Sequence, residues 1–170
     1  MRFTLEMRLM QALASQSSVF IQHPDTVAAQ LCVTSDHASR GMDLVAHGHG
    51  GVCMPSQLGY LPGTPLQVRV RLGGRELRYH GLVLWRRVRQ QAFELGLGFA
   101  TDAAAYRARM VEQLCHIEAY RQHAYVDGRP LDFETAAREW IARYSSGFPQ
   151  IAGCCSSVAG GEAQPAVAVG

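Results

Sequence analysis

Apolar and polar residues alternate along much of the chain between residues 26 and 100. The segment LQVRVRL (66–72) places leucine and valine on one face and glutamine and arginine on the other. This period of two is typical of a strand that is buried on one side. Gly73 and Gly74 follow, and RELRYHGLVLWRRVR (75–89) is strand-like as well. A two-residue glycine loop between two such segments predicts a β-hairpin.

Four further segments have the composition of strands. They are AAQLCVTS (28–35), GMDLVAH (41–47), GVCM (51–54) and FELGLGF (93–99). In the last of these, Gly96 and Gly98 lie opposite the leucines, and glycine there indicates the close approach of a ligand or of another backbone. Six short strands separated by turns predict a small antiparallel barrel or sandwich.

After Thr101 the apolar pattern changes to that of a helix. The alanine-rich segment DAAAYRARMVEQLCHIEAYRQH (102–123) is predicted to be helical, with Asp102 as its N-cap. The residues predicted to form its packing face are Tyr106, Met110, Leu114 and Ile117.

A second helix is predicted for DFETAAREWIARY (132–144), with Asp132 as its N-cap. Gly147 and Pro149 are predicted to end it. Its apolar residues, Trp140 among them, are expected to pack into the core.

The expected domain organisation has four parts. They are a leader or short helix (1–17), a barrel with its closing helix (18–124), a second helix (125–149) and a disordered tail rich in alanine, glycine and serine (150–170).

Composition narrows the class of protein. The chain has 170 residues, 48% of them hydrophobic and 18% charged, with a net charge of +2, so we expect no general nucleic-acid binder. Its five cysteines include no CxxC pair, which argues against a disulfide framework and for a reducing, cytoplasmic compartment. No apolar run approaches the roughly 20 residues of a membrane span.

The segment VAHGHGGVCM (45–54) raises the question of a metal site. His47 and His49 are two positions apart and share one face if the segment is extended, and Cys53 has the same parity. This spacing matches no standard zinc cage, and no Walker or dinucleotide motif follows. We therefore predict no metal site here and keep a metal-binding barrel that uses the two histidines as an alternative.

Arginine is concentrated on the predicted hairpin. Residues 65–90 contain seven arginines and one acid, Glu76. Arginine is the preferred planar partner of phosphate and also stacks on bases. The alternative is a solvated strand face, partly paired with Glu112 and Glu118 of the first helix.

Catalytic patterns are few. There is no GxSxG, and the adjacent Cys115 and His116 diverge by about 100° on a helix, so Cys115 is predicted to pack in the core and His116 to lie on the surface. No catalytic residue is predicted, and a hydrolytic enzyme is a distant alternative.

Taken in order, these elements resemble the PilZ domain, the bacterial cyclic-di-GMP receptor family. The resemblance covers roughly residues 22–122 and rests on YLPGTPLQVRV, GLVLWRR and FELGLGF. The later segments RARMVEQLCHIEAYRQ, AAREWIARY and FP resemble the C-terminal extension of one proteobacterial subgroup. The resemblance implies a mainly β fold, a six-stranded antiparallel β-barrel followed by one or two C-terminal α-helices.

The family binds its nucleotide through two short motifs. The motif RxxxR falls on SVFIQHP, where Ser18 and Gln22 replace the arginines. The motif D/N-x-S-x-x-G falls on AHGHGG, where Ala46 and Gly48 replace the first residue and the serine, and Gly51 is retained. The resemblance thus implies weakened or lost binding of cyclic-di-GMP. The residues that could substitute are His47, His49, Trp85, Arg86 and Arg87.

The expected function is that of a non-enzymatic module of cyclic-di-GMP signalling, acting in the cytoplasm through contacts with a protein partner. No cofactor, DNA or RNA is expected, and homodimerisation is left open. The main alternative is a functional cyclic-di-GMP receptor that uses the substitute residues.

Overall fold

The computed structural model describes residues 20–35 and 50–151. Its six strands are β1 (Phe20–Gln22), β2 (Ala29–Val33), β3 (Gly51–Ser56), β4 (Pro65–Leu72), β5 (Arg75–Arg89) and β6 (Ala92–Gly98). Two helices follow, α1 (Asp102–Val126) and α2 (Phe133–Tyr144), and a 3₁₀ turn (Ser145–Gly147) closes the described chain. The leader, the strand expected at 41–47 and nearly all of the tail lie outside the described residues.

The six strands form one mixed sheet in the order β1-β3-β6-β5-β4-β2. All neighbours are antiparallel except β1 and β3, which run parallel. The terminal strands β1 and β2 are not paired with each other in the described part of the chain. The expectation of a closed and purely antiparallel barrel was therefore wrong. Among the described strands β1 pairs only with β3 and β2 only with β4, so no ladder joins the two edges, and α1 packs against one face of the sheet.

The predicted hairpin is confirmed. Leu72 pairs with Arg75, and the loop residues Gly73 and Gly74 have φ angles of 54° and 78°. Positive φ at both loop residues matches the twist of a two-residue hairpin, and glycine adopts it without steric cost. The strands predicted at 28–35, 51–54 and 93–99 are confirmed to within a few residues, whereas β1 was not predicted.

The core lies between one face of the sheet and α1. Leu66, Val68 and Val70 of β4 are at most 1% exposed, as the alternation predicted. On α1, however, the buried face consists largely of small residues such as Ala105 and Ala108. The predicted packing face was wrong except at Ile117 and, in part, Leu114, and Tyr106 is 64% exposed. Small side chains let the helix backbone approach the sheet closely, and large ones do not fit there.

The ends of both helices are capped. The hydroxyl of Thr101, not the carboxylate of Asp102, accepts the N-capping hydrogen bond of α1, and Asp102 is the first helical residue. Asp132 caps α2 as predicted, by accepting a hydrogen bond of 2.8 Å from the backbone N–H of Thr135. Trp140 is 5% exposed, which confirms its predicted packing role. The same prediction was wrong for Phe133, Ile141 and Tyr144, which are 41–49% exposed. Neither helix of the described ranges has the length and apolarity needed to cross a membrane.

Candidate functional site

The sheet face opposite the helices carries a row of side chains that crosses four strands. Gln22 of β1 pairs with Cys53 of β3, Cys53 with Gly96 of β6, and Gly96 with Trp85 of β5. Phe20 and Arg87 complete the cluster. We call Phe20, Gln22, Trp85 and Arg87 the Trp85 surface.

Two glycines are needed for this row to form. A Cβ atom on Gly96 would lie 2.1 Å from the Trp85 indole, so the bare backbone of β6 is the floor on which the ring rests. A Cβ atom on Gly51 would lie 2.0 Å from the carbonyl oxygen of Leu97. The glycines that face outward therefore lie where other groups come close to the backbone. At Gly96 the neighbouring group is the Trp85 side chain of the same sheet, and at Gly98 it is the Leu84 side chain.

Trp85 is enclosed by two partners. The guanidinium carbon of Arg87 lies 4.7 Å from the centre of the indole, a cation–π contact. The Phe20 ring meets the indole edge-on, with centroids 5.3 Å apart. Beside them is a recess of about 30 Å³, whose lining residues are Phe20, Gln22, Cys53, Trp85, Arg87, Arg89 and Glu94. Ligand sites of roughly 300–1,000 Å³ are usual for drug-sized molecules, so the recess that the described residues form is much smaller than such a site.

The predicted site residues are only partly brought together. Gln22, Trp85 and Arg87 share the recess, and Gly51 is buried beneath Phe20. Arg86 points to the opposite side of β5, where it donates a hydrogen bond of 2.5 Å to the Gly59 carbonyl and lies over the ring of Phe93. The other predicted site residues, which are Ser18, Ala46, His47, Gly48 and His49, lie outside the described residues.

The thiol that borders the recess is inert. Burial raises the pKa of Cys53 to about 12, the neighbouring Glu94 adds to this rise, and Gln22 and Arg87 only partly oppose it. A thiol with so high a pKa stays protonated at neutral pH and is a poor nucleophile. Cys53 therefore supplies packing on this surface.

Three arginines of the hairpin, Arg69, Arg71 and Arg78, alternate with the buried residues of their strands and lie on the same sheet face as Trp85. Glu76 pairs with Arg78 at 2.8 Å and with Arg71 at 3.8 Å. The suggested pairing with acids of the first helix was wrong. Glu118 binds Arg121 of its own helix, and Glu112 lies buried on the other side of the sheet.

A buried polar network joins β1, β5 and α1, and no sequence pattern predicted it. The Nδ1 atom of His23 lies 2.8 Å from one carboxylate oxygen of Glu112. The Tyr79 hydroxyl donates to the other oxygen at 2.6 Å. Glu112 and Tyr79 are 0% and 2% exposed. Sequence reasoning missed Glu112 because it lies on the side of the helix opposite the predicted packing face, among the alanines that turn out to be buried.

The network shifts the pKa values of His23 and Tyr79. Burial by itself lowers the pKa of His23, but the hydrogen bond and charge of Glu112 outweigh burial, and the net result is a pKa above the ordinary 6.5. Burial raises the pKa of Tyr79 well above 10, and Glu112 raises it further. The network therefore favours a protonated His23 and a neutral Tyr79 phenol beside Glu112.

The same network contains the described residues that could hold a metal ion. Ligand atoms of His23, Glu112 and Cys115 lie within 4.8 Å of one another. Both nitrogens of His23 and both oxygens of Glu112 already have hydrogen-bond partners, the second nitrogen bonding the Val27 carbonyl at 2.8 Å. Burial raises the pKa of the Cys115 thiol far above its usual value, so it remains protonated. The cluster is complete as an ion pair without a metal. Cys115 is fully buried, as predicted.

His116 was predicted to lie on the surface and instead takes part in packing. Its Nε2 atom lies 2.8 Å from the carbonyl oxygen of Gln22, to which it donates a hydrogen bond. Its ring packs against Phe148 and Trp140, with centroid distances of 5.2 and 6.2 Å. Burial lowers its pKa below 6.5, so the neutral form is favoured. An open cleft of about 620 Å³ lies beside this aromatic cluster.

Comparisons with models of known protein families, with curated proteins and with solved structures give no match to this chain. The family resemblance therefore rests on the sequence motifs alone.

Proposed function

We propose that this protein is a non-enzymatic signalling module that resembles the PilZ domain, acts through contacts with a protein partner and has weakened or lost binding of cyclic-di-GMP. The Trp85 surface is the contact surface in this proposal.

One observation carries the proposal. The three described candidate residues that come together, Gln22, Trp85 and Arg87, border a recess of about 30 Å³, where the Arg87 guanidinium stacks on Trp85 and Arg89 is paired with Glu94. A charge-assisted hydrogen bond contributes about 1.5–3 kcal/mol. Loss of two motif arginines therefore weakens nucleotide binding by roughly two to four orders of magnitude.

The chemistry of the Trp85 surface suits a protein partner. Tryptophan and arginine are over-represented among the residues that dominate protein–protein binding energy. Trp85 is held in place by Gly96, Phe20 and Arg87, so little side-chain entropy is lost on binding. The inert thiol of Cys53 agrees with a role in binding rather than catalysis.

A second candidate function is a cyclic-di-GMP receptor that uses substitute residues. It is favoured by the placement of Trp85 beside Arg87, since an indole can stack on guanine and a guanidinium can bind phosphate. Such a receptor requires the recess to open.

Calorimetric titration with cyclic-di-GMP separates the two candidates. The titration uses low and moderate salt and a chelator, so that a metal-dependent signal is removed. If the protein is an adaptor, the wild type should give either no binding heat or binding weaker than micromolar. Micromolar or tighter binding that Arg87→Ala abolishes would establish the receptor instead. Arg86→Ala is the matched control, because Arg86 points to the other side of the same strand.

The partner contact is tested in parallel. The full-length protein and its Trp85→Ala variant serve as baits in pull-downs from the native host. The proposal expects a specific partner that wild type retains and Trp85→Ala loses. Equal retention of every captured protein by both baits, with intact folding, would contradict it.

A further inference from the structure

The short strand β1 is attached to α1 at two positions one helical turn apart. Glu112 binds the side chain of His23, and His116 donates to the backbone carbonyl of Gln22, each at 2.8 Å. Positions four apart lie on the same side of a helix, so both residues contact the end of β1. The backbone N–H of His23 also donates to the Cys53 carbonyl at 2.8 Å.

A His23 ring that carries a proton on each nitrogen can donate in both of its side-chain contacts. Nε2 lies 2.8 Å from the Val27 carbonyl oxygen, which can only accept, and Nδ1 faces the carboxylate of Glu112 at the same distance. A neutral imidazole has one N–H. When neither Nδ1 nor the Glu112 carboxyl group holds the proton between them, each tautomer of the neutral ring turns one of these two contacts into a meeting of lone pairs at a site that is only 5% exposed. Loss of the proton therefore weakens the attachment of β1.

The groups around His23 come from three elements. α1 contributes Glu112, Cys115 and His116, β5 contributes Tyr79 through its bond to Glu112, and the turn after β1 contributes Asp25. Cys115 and Tyr79 stay neutral because their pKa values are raised. The acids Glu112 and Asp25 favour the proton on His23, whereas the positive charge of His23 disfavours one on His116.

β1 covers one side of the Trp85 side chain. Phe20 packs edge-on against Trp85 with centroids 5.3 Å apart, and Gln22 lies beside Cys53 in the strand register. Cys53 is only 2% exposed, and both Phe20 and Gln22 line the recess beside it. Displacement of β1 would uncover the indole edge and widen this recess.

The geometry points to β1 as a strap over Trp85, held on α1 by protonated His23 and released when His23 loses its proton. Release exposes Trp85 and opens the recess next to Arg87. Exposure of Trp85 needs no ligand. Only the effect of this exposure on partner binding rests on the proposed function.

Acrylamide quenching of Trp85 fluorescence tests the strap without any ligand. The chain has two tryptophans, so Trp140→Phe leaves Trp85 as the reporter. The proposal expects the quenching constant to rise at least about twofold between pH values of about 5.5 and about 8.5, since local opening exposes the ring. Circular dichroism should stay unchanged over the same range. Glu112→Gln should give the high constant at both pH values, whereas His123→Gln, at an exposed position of α1, should keep the pH response.

A reversible disulfide between β1 and β3 supplies the decisive control. Gln22→Cys places a second thiol opposite Cys53 in the β1–β3 register. Paired residues of neighbouring strands lie about 4.8 Å apart, within the roughly 4.4–6.8 Å that a disulfide spans. The oxidised protein should lose the pH response and the reduced protein should regain it. The strap proposal is contradicted if quenching is independent of pH in the Trp140→Phe protein. It is also contradicted if the oxidised, cross-linked protein shows the same pH response as the reduced protein, or if quenching rises only when the circular dichroism signal is lost. None of these outcomes depends on nucleotide or partner binding.

Discussion

The imidazole of His23 and the carboxylate of Glu112 form a buried ion pair with an N···O distance of 2.8 Å, although 89 positions separate them in the chain. The pair fastens β1, the first described strand, to the middle of α1. A buried ion pair adds little net stability, because desolvation offsets much of the attraction, but removal of one partner leaves an uncompensated charge. The value of the pair therefore lies in fixing where β1 docks.

The pH dependence of stability follows from His23. Its folded pKa is raised above 6.5, so the stability that it contributes is fully present below pH 6.5 and is lost as pH rises through the folded pKa. We expect the difference in unfolding free energy between wild type and His23→Gln to shrink as pH rises above 6.5. Urea unfolding at a series of pH values measures it.

The pH dependence that His116 contributes does not interfere with this comparison. Its folded pKa is lowered, so the stability that it contributes is present above pH 6.5 and is lost as pH falls through the folded pKa. That range lies on the acid side, whereas the His23 range lies above 6.5. A constant difference between wild type and His23→Gln at all pH values would show that His23 does not bind its proton more tightly in the folded protein.

Substitutions at Glu112 and Tyr79 should differ in severity. Glu112→Gln leaves His23 without its counter-charge and should destabilise the protein by about 3–5 kcal/mol near pH 6. Tyr79→Phe removes one hydrogen bond to the carboxylate and should cost about 1.5–3 kcal/mol. Chemical denaturation gives both values. A larger loss of stability for Tyr79→Phe than for Glu112→Gln would mean that the hydrogen bond from the phenol stabilises the protein more than the contact between Glu112 and His23 does.

Gly96 supports Trp85 by lacking a side chain. In Gly96→Ala the new Cβ would lie 2.1 Å from the indole, so the ring must move, at a cost of about 1–3 kcal/mol. The tryptophan emission spectrum should shift as the ring is displaced. Gly147→Ala is the control, because a Cβ atom at Gly147 would meet no heavy atom within 4 Å and the φ angle there is not positive. Equal melting temperatures for the two variants would argue against this packing.

Trp140 anchors α2 to the rest of the molecule. It is 5% exposed and packs edge-on against Phe148 with centroids 5.4 Å apart. Trp140→Ala should destabilise the protein by about 3–5 kcal/mol, as expected for truncation of a buried aromatic residue. Tyr125→Ala, at a residue that is 69% exposed, should change stability by less than about 0.5 kcal/mol. Thermal melts followed by circular dichroism compare the two, and similar losses would show that α2 does not depend on this anchor.

The candidate site was only partly predictable. The strand that carries Trp85, Arg86 and Arg87 was evident from its composition, but the side to which each residue points was not. An irregularity in the pairing of β5 with β6 lies between Val83 and Trp85, and such irregularities redirect side chains in a way that simple alternation does not foresee. Arg87 therefore meets Trp85, whereas Arg86 meets Gly59.

The sequence by itself determined the strands from 65 to 98, the glycine hairpin and the two helices, because these depend on local periodicity and on backbone freedom at Gly73 and Gly74. Only the tertiary structure decided that β1 joins the sheet in parallel, that the sheet stays open among the described strands, and that alanines rather than large residues face it. It also brought His23 to Glu112. These features depend on contacts between residues far apart in the chain, where close packing and the need to satisfy buried charge override local preference.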